Sequence, residues 1–414
     1  MTSATTETVA AVRAPARAPQ RSSGRLVALW PAVRYCLIVF VVVRIAMFAI
    51  ALMTYSLIDF HSAVGVPGWA VPPVTPGWHN AITGWEHSDS IWFLRIGSTG
   101  YRATDQSAAF FPLYPTAIHV VGLALGRHWL LASFLVSNLS LLAGMVLLHR
   151  LTTDEQGVTR ARHSVLYLCV FPTALFLFAP YSEPVFLLLA VGSLLSARRR
   201  RWLLAGGLGA GAALTRSIGI ILVLALAAEA AQQALEDCRA GSWRPSRSVL
   251  ALAASALPAL GTASYLYWWQ LQIGDWRRPL SQQSAWGRHF SWPWDTIRRG
   301  TSAGVTGVGH IGGGYFTLDL LLIAAALAAC VWVTVRCRPL YAVYAWASVL
   351  FPMFAMWDGR PFMSNPRFLL PVFPIFWAIA ALGDRWRAHQ ALVAVSAGSL
   401  ILLSVLAVAS YPIF

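Results

Sequence analysis

The chain has no lysine, so all 31 of its basic residues are arginine. That excludes Schiff-base chemistry and a P-loop phosphate cradle, both of which need an ammonium group. Acids are scarce as well, with 16 Asp and Glu in 414 residues, and charged residues make up only 11%. Soluble domains carry about a quarter charged residues, so an ordinary solvated surface is excluded. Cysteine is limited to Cys36, Cys169, Cys238, Cys330 and Cys337, without the spacing of a disulfide framework or a zinc site. What fills the chain is apolar: 57% of residues are hydrophobic and the mean hydropathy is +0.60. These values describe an all-α polytopic membrane protein. The net charge of +15 does not imply nucleic acid, because the arginines cluster at the ends of apolar runs, where they set topology.

Residues 1–30, rich in Ala, Thr, Ser, Pro and Arg, read as a disordered basic cytoplasmic tail. Residues 31–414 read as one transmembrane domain with two outer loops, 57–128 and 272–316. The run beginning near Tyr35 is long enough to span, and lacks a small-residue cleavage site, so it reads as an uncleaved first helix. Further spans are expected at Trp129–Leu148, Ser164–Ala179, Pro184–Ala197, Leu203–Leu214, Ile218–Gln232, Leu250–Leu271, Leu318–Val335, Tyr341–Trp357, Phe368–Gly383 and Ala391–Ala409. Thr116–Leu125 reads as a re-entrant piece. About 11 segments result, with the amino end inside, and the Arg198–Arg201 run falls on the cytoplasmic side. Asp59, Glu86, Asp89, Asp105, Glu183, Asp275, Asp295, Asp319 and Asp358 then gather at the outer face, with Arg216, Arg360 and Arg367.

One stretch is neither apolar enough to span nor polar enough to be a plain loop: Trp85–Pro115. It mixes Glu86, His87, Asp89 and Asp105 with Trp85, Trp92, Phe93, Tyr101, Phe110, Phe111 and Tyr114. Such rings favour the membrane–water boundary. From Asp89 to Ile96 the apolar residues fall mostly on one helical face, which predicts a short interfacial helix.

The order of motifs resembles PIG-V-like mannosyltransferases, of the GT-C class of membrane glycosyltransferases. The matching residues are D-x-x-W-F-x-x-I from Asp89, G-Y at Gly100–Tyr101 and A-F-F-P-L-Y-P ending at Pro115. Y-S-E at Tyr181–Glu183, L-T-R-S-I-G at Leu214–Gly219, G-R-H-F-S-W-P-W at Gly287–Trp294 and N-P-R-F-L-L-P at Asn365–Pro371 follow. The likeness runs from about Tyr35 to Leu382. Ser88 departs from it, since relatives usually carry Trp there. The resemblance implies an inverting transfer of a sugar, mannose first, from a polyprenyl (dolichyl-type) phosphate to a lipid-linked or glycan acceptor. It also implies an integral plasma-membrane enzyme working at the non-cytoplasmic face of the lipid bilayer.

Such a transfer needs a carboxylate to take the acceptor's proton and cations to meet the departing phosphate. Asp89 is the expected catalytic base; the competing reading is that Ser88–Asp89–Ser90 caps a helix. Glu86, His87, Trp92, Asp105, Glu183, Arg216 and Arg367 are the expected substrate-binding residues. Glu183 before Pro184 also fits a helix start. Arg216 sits at the break between two short spans, where it must pair with an acid or a phosphate, or snorkel to the surface. A divalent metal held by Glu86 or Asp105 is the one cofactor the sequence leaves open, with no D-x-D or His-rich spacing behind it. A lipid-linked-sugar transporter or flippase, and a non-catalytic subunit keeping the fold, are the readings from other classes. A transporter predicts symmetric halves and charges at mid-membrane depth.

Overall fold

The computed structural model describes residues 22–58, 65–70, 75–310 and 312–411. The first apolar run forms one long helix, α1 (Ser22–Leu57), which begins inside the stretch expected as a tail. Residues 1–21 and Asp59 lie outside the described residues. The first outer loop folds into the single turn α2 (Asn80–Thr83) and the helices α3 (Asp89–Thr99) and α4 (Leu113–Ala124). There follow α5 (Trp129–Gln156), α6 (Val158–Val170), α7 (Leu175–Phe178), α8 (Glu183–Arg198), α9 (Trp202–Thr215) and α10 (Leu222–Arg239). The pair α11 (Pro245–Ser255) and α12 (Leu257–Ile273) leads to the second loop, which holds α13 (Arg278–Ala285), β1 (Arg288–Phe290) and α14 (Pro293–Thr306). Last come α15 (Gly314–Arg336), α16 (Pro339–Leu350), β2 (Ala355–Trp357), α17 (Asn365–Phe368), α18 (Phe373–Leu382) and α19 (Trp386–Val408).

Among the described residues, six helical stretches are long and apolar enough to cross a bilayer: 30–57, 129–156, 217–239, 245–273, 314–336 and 386–408. Their outward-facing Leu, Val and Ile leave large apolar surfaces exposed, which water would not tolerate and lipid does. The protein is an integral, multi-pass membrane protein. The other five of the eleven expected segments fall on helices that are shorter or broken, α6 with α7, α8, α9, α16 and α18.

The core is centred on α8, packed between α5 and α9, with α12 behind α9. Small residues set that approach: a Cβ at Gly261 of α12 would come 2.6 Å from the Ala210 carbonyl oxygen. Close backbone contact of this kind is how helices associate where lipid removes the hydrophobic drive.

Two expected spans are interrupted, the expected break between α9 and α10 is present, and the reasons are local. Between α6 and α7, Phe171 is extended (ψ 146) before Pro172, as proline demands of the residue preceding it. Between α17 and α18, Pro371 and Pro374 lack the N–H that would continue the helix, so Leu369–Val372 forms turns. Between α9 and α10, Arg216 is extended (φ −154, ψ 146) ahead of a tight 3-10 turn at Ser217–Ile221. Thr173 Oγ1 donates to the Pro366 carbonyl at 3.1 Å, tying the first break to the second.

Ion pairs between the transmembrane elements collect at two opposite ends. α8 shows both: its first residue, Glu183, belongs to one group and its last, Arg198, to the other, roughly 24 Å away at 1.5 Å per residue. At the Arg198 end, Arg198 reaches Glu155 (2.7 Å) and Glu229 (3.0 Å), Arg200 reaches Asp237 (2.7 Å), Arg338 reaches Glu236 (2.8 Å) and Arg160 reaches Asp384 (2.7 Å). The Glu183 end is the candidate site.

Candidate active site

Four of the expected residues occupy helix ends or breaks, where the backbone leaves polar groups unsatisfied and side chains converge. Asp89 is the first residue of α3, Glu183 the first of α8, Arg216 stands in the α9–α10 break, and Arg367 lies on α17. Arg367 joins the two acids: its Nη1 meets Asp89 Oδ2 at 2.5 Å, and its Nε donates to Glu183 Oε1. Arg216 Nη1 meets the same Glu183 oxygen at 2.6 Å and donates to Ser182 Oγ at 3.1 Å. Aromatic faces carry the guanidinium planes. Arg367 lies 4.7 Å from the Phe176 ring centre and 4.6 Å from Tyr181, and Arg216 lies 4.9 Å from Phe368.

Burial separates the two carboxylates. The Glu183 side chain is 0% exposed, whereas that of Asp89 is 34% exposed. Glu183 is therefore the anchor of two guanidinia, and Asp89 is the carboxylate left open at the surface of the group. The helix-start reading of Asp89 accounts for its position but not for its partner. Ser88 makes no capping hydrogen bond, and the one side-chain hydrogen bond of Asp89 among the described residues goes to Arg367. Ser88 itself sits at φ 54, a backbone conformation unusual for a residue with a side chain. Arg216 does not snorkel, since its charge is spent on Glu183.

α3 forms where it was expected, but Ser90 through Gly97 are all buried, so the helix is packed into protein on every side. Trp92 stacks on Phe110 with centroids 5.7 Å apart and meets the edge of Trp286 from the second loop at 6.1 Å. Glu86 accepts a hydrogen bond from Trp69 Nε1 at 2.7 Å; burial pushes its pKa up and that hydrogen bond holds it back. Asp105 does not join the Asp89 group. It pairs with Arg95, whose side chain is 0% exposed, and accepts from the Ser107 N–H at 2.9 Å, closing the turn after it. Among the described residues, Arg95 otherwise donates only to the carbonyls of Pro67 (3.2 Å) and Gly100 (2.8 Å). Asp105→Ala should thus lower stability by roughly 1–3 kcal/mol, the cost of an under-paired buried charge. Its apparent unfolding temperature in detergent should fall while substrate KM in the folded enzyme stays put. The reverse pattern would return Asp105 to substrate binding.

His87 is buried and its Nε2 has no hydrogen-bond partner among the described residues. Burial pushes its pKa down from 6.5 to about 4, opposed by the Asp89 charge. The native state therefore holds His87 neutral while the unfolded chain takes up a proton below about pH 6.5. Stability is full above that pH and is lost as pH falls towards 4, by about 3 kcal/mol in all at 1.36 kcal/mol per pH unit. Glu86 contributes with the opposite sign, so the comparison must be with His87→Gln. That variant should lose less stability between pH 6.5 and 4 than the native chain; parallel curves would place His87 in contact with solvent.

Three arginines that the sequence reading passed over are also engaged. Arg95 is described above. Arg44, at the middle of α1, donates to Asn138 Oδ1 and to the Phe178 carbonyl (2.6 Å), satisfying the end of α7. A charge at the centre of an apolar run was the signal for it. Arg288, on β1, donates to Ser364 Oγ at 3.2 Å beside the Asp89 group. No group of three or more His, Cys, Asp or Glu able to hold a metal occurs among the described residues.

A multi-pass helical membrane protein, with a charged, aromatic-walled centre at one end of its helix bundle, is the class that fold and site define. The chain belongs to the mannosyltransferase (PIG-V) family, a family of membrane glycosyltransferases, whose model matches residues 33–263. No curated protein matches it. Among solved structures it is similar to ArnT from Cupriavidus metallidurans bound to undecaprenyl phosphate, at 14% identity and a TM-score of 0.49, over 90% of this chain and 62% of that one. It is also similar to the oligosaccharyltransferase AglB from Archaeoglobus fulgidus in complex with an inhibitory peptide and a dolichol-phosphate. There the identity is 11% and the TM-score 0.43, over 91% of this chain and 56% of that one. The chain thus spans less than two thirds of the length of either structure.

Proposed function

We propose that the protein transfers a hexose, mannose by family, from a polyprenyl (dolichyl-type) phosphate to a lipid-linked or glycan acceptor at the outer face of the plasma membrane. The observation that carries this reading is the division of labour between two carboxylates sharing Arg367: Glu183 fully buried, Asp89 a third exposed. Asp89 takes the proton from the acceptor hydroxyl, and that oxygen forms the new bond to the anomeric carbon. The bond from that carbon to the phosphate oxygen breaks, and polyprenyl phosphate leaves with the electron pair. With one base and no covalent sugar–enzyme intermediate, the configuration inverts. Arg367 orients Asp89 and, with Arg216, supplies positive charge beside the leaving group. Glu183, fully buried, holds both guanidinia in place and takes no part in contacting the sugar. Trp92, buried between Phe110 and Trp286, fastens the second loop to the helix that begins with Asp89.

The test is sugar release from radiolabelled polyprenyl-phosphate-mannose by the purified protein, with a panel of other lipid-phosphate hexoses and determination of the product's anomeric linkage. Absence of release with every donor sinks the reading. A cysteine-accessibility scan checks the face: positions 88 and 310, both exposed, should label from outside and position 240 only after permeabilisation. Labelling of position 88 from the cytoplasm would instead direct the carboxylates at nucleotide sugars.

A further inference from the structure

The charge balance of the centre is incomplete. Asp89 and Glu183 are met by Arg216 and Arg367 in direct ion pairs, and a third guanidinium, Arg288, stands beside them with no carboxylate partner among the described residues. Three other arginines at this end pair with acids: Arg95 with Asp105, Arg360 with Asp319 at 2.6 Å, Arg299 with Asp358 at 2.8 Å. Arg278, in the same loop as Arg288, donates instead to the Ala103 carbonyl at 2.6 Å, away from the Asp89 group. Arg288 is only partly exposed, and its single side-chain hydrogen bond among the described residues goes to the neutral Ser364 hydroxyl. Burial pushes its pKa down, Asp89 draws it up, and Arg367 and Arg216 push it down again, so its charge is coupled to the Asp89 group.

The backbone holds it there firmly. β1 pairs antiparallel with β2, Arg288 opposite Trp357, which fastens the second loop to the segment leading to Arg367. Gly287, at φ 71, has its missing Cβ position 3.0 Å from the Trp357 ring, so a side chain in the turn into Arg288 would be strained. Two residues earlier, Trp286 lies against Trp92 and Phe110. The loop therefore closes over the start of α3 and carries a cation with it.

We infer that Arg288 is the residue that grips the phosphate of the lipid-linked donor, and that Arg216 and Arg367 serve chiefly to hold Glu183 and Asp89. The inference rests on the donor reading above and deepens it. Three guanidinia against two carboxylates leave one positive charge, which matches the single negative charge of a sugar phosphodiester. A guanidinium half-buried beside apolar rings gives a charge-assisted hydrogen bond to phosphate, and its fork suits two oxygens at once. The phosphate could also be free in solution, and the experiment separates that source.

Purified protein in nanodiscs is titrated with polyprenyl phosphate, with the matching polyprenol, and with inorganic phosphate. The native chain should prefer the lipid phosphate to the alcohol and bind inorganic phosphate weakly. Arg288→Gln should lose roughly 10- to 100-fold in affinity for the lipid phosphate, the effect of one charge-assisted hydrogen bond, with no change for the alcohol. Donor KM should rise in parallel while kcat changes less, and Arg288→Lys should recover part of the loss. Ser364→Ala keeps the cation and removes only its anchor, so it should retain most of the preference for phosphate. A folded Arg288→Gln that keeps the full preference overturns the assignment, as does a Ser364→Ala that copies its loss. Equal binding of inorganic and lipid phosphate would also overturn it, in favour of a free-phosphate site. Failure of the native chain to distinguish lipid phosphate from alcohol would instead defeat the donor reading itself.

Discussion

Asp89→Asn should insert, fold and bind donor much as the native chain does, yet turn over about 10²–10⁴ times more slowly. The amide keeps the size of the carboxylate and can still accept a hydrogen bond from Arg367, 278 residues away in sequence. It cannot take a proton from an acceptor hydroxyl. A helix-capping role predicts the opposite, because Asn caps as well as Asp. The measurement is single-turnover transfer from saturating polyprenyl-phosphate-mannose, with donor binding followed separately. Near-native turnover would remove Asp89 as the base and move that role to Glu183, the other carboxylate in reach of Arg367.

Glu183→Gln should be the most damaging change to the scaffold of the site. Glu183 is 0% exposed and meets two guanidinia, so its loss leaves both with like charge and no buried counter-ion. Removing one member of a buried ion group costs roughly 3–5 kcal/mol, most of it the penalty of the charges left behind. The apparent unfolding midpoint in detergent should fall and transfer should be lost with it. Removing one guanidinium as well, in Glu183→Gln with Arg216→Met, should recover much of the stability, since a single cation then faces Asp89 alone. A Glu183→Gln variant as stable as the native chain would show that water reaches this centre and screens it.

The two predictions separate the acids in a way sequence could not. Both Asp89 and Glu183 begin helices, and in the sequence each looks equally like a cap or an active-site group. Their difference is burial, which depends on α5, α9 and α17 closing round the start of α8 while the start of α3 stays at the rim. Asp105 shows the same limit from the other side. Its place among aromatic residues suggested substrate, and only the fold reveals Arg95, six residues from the Tyr101 that leads into its turn, as the buried partner.

Composition and the spacing of arginines were sufficient to fix a multi-pass helical protein. A long apolar run has few stable states other than a helix in lipid, and an arginine at its end cannot be drawn across. Short motifs were likewise enough to name Asp89, Glu183, Arg216 and Arg367, because each falls where proline, serine or an isolated charge interrupts an apolar run. Pairing was beyond them. Arg367 lies 184 residues from Glu183 and 278 from Asp89, and Arg288 lies 76 from Ser364. Which cation meets which carboxylate, and which is left without one, depends on the packing of broken helices against one another. Periodicity and charge pattern report what each segment does alone; ion pairs across such distances are set only when the tertiary structure closes.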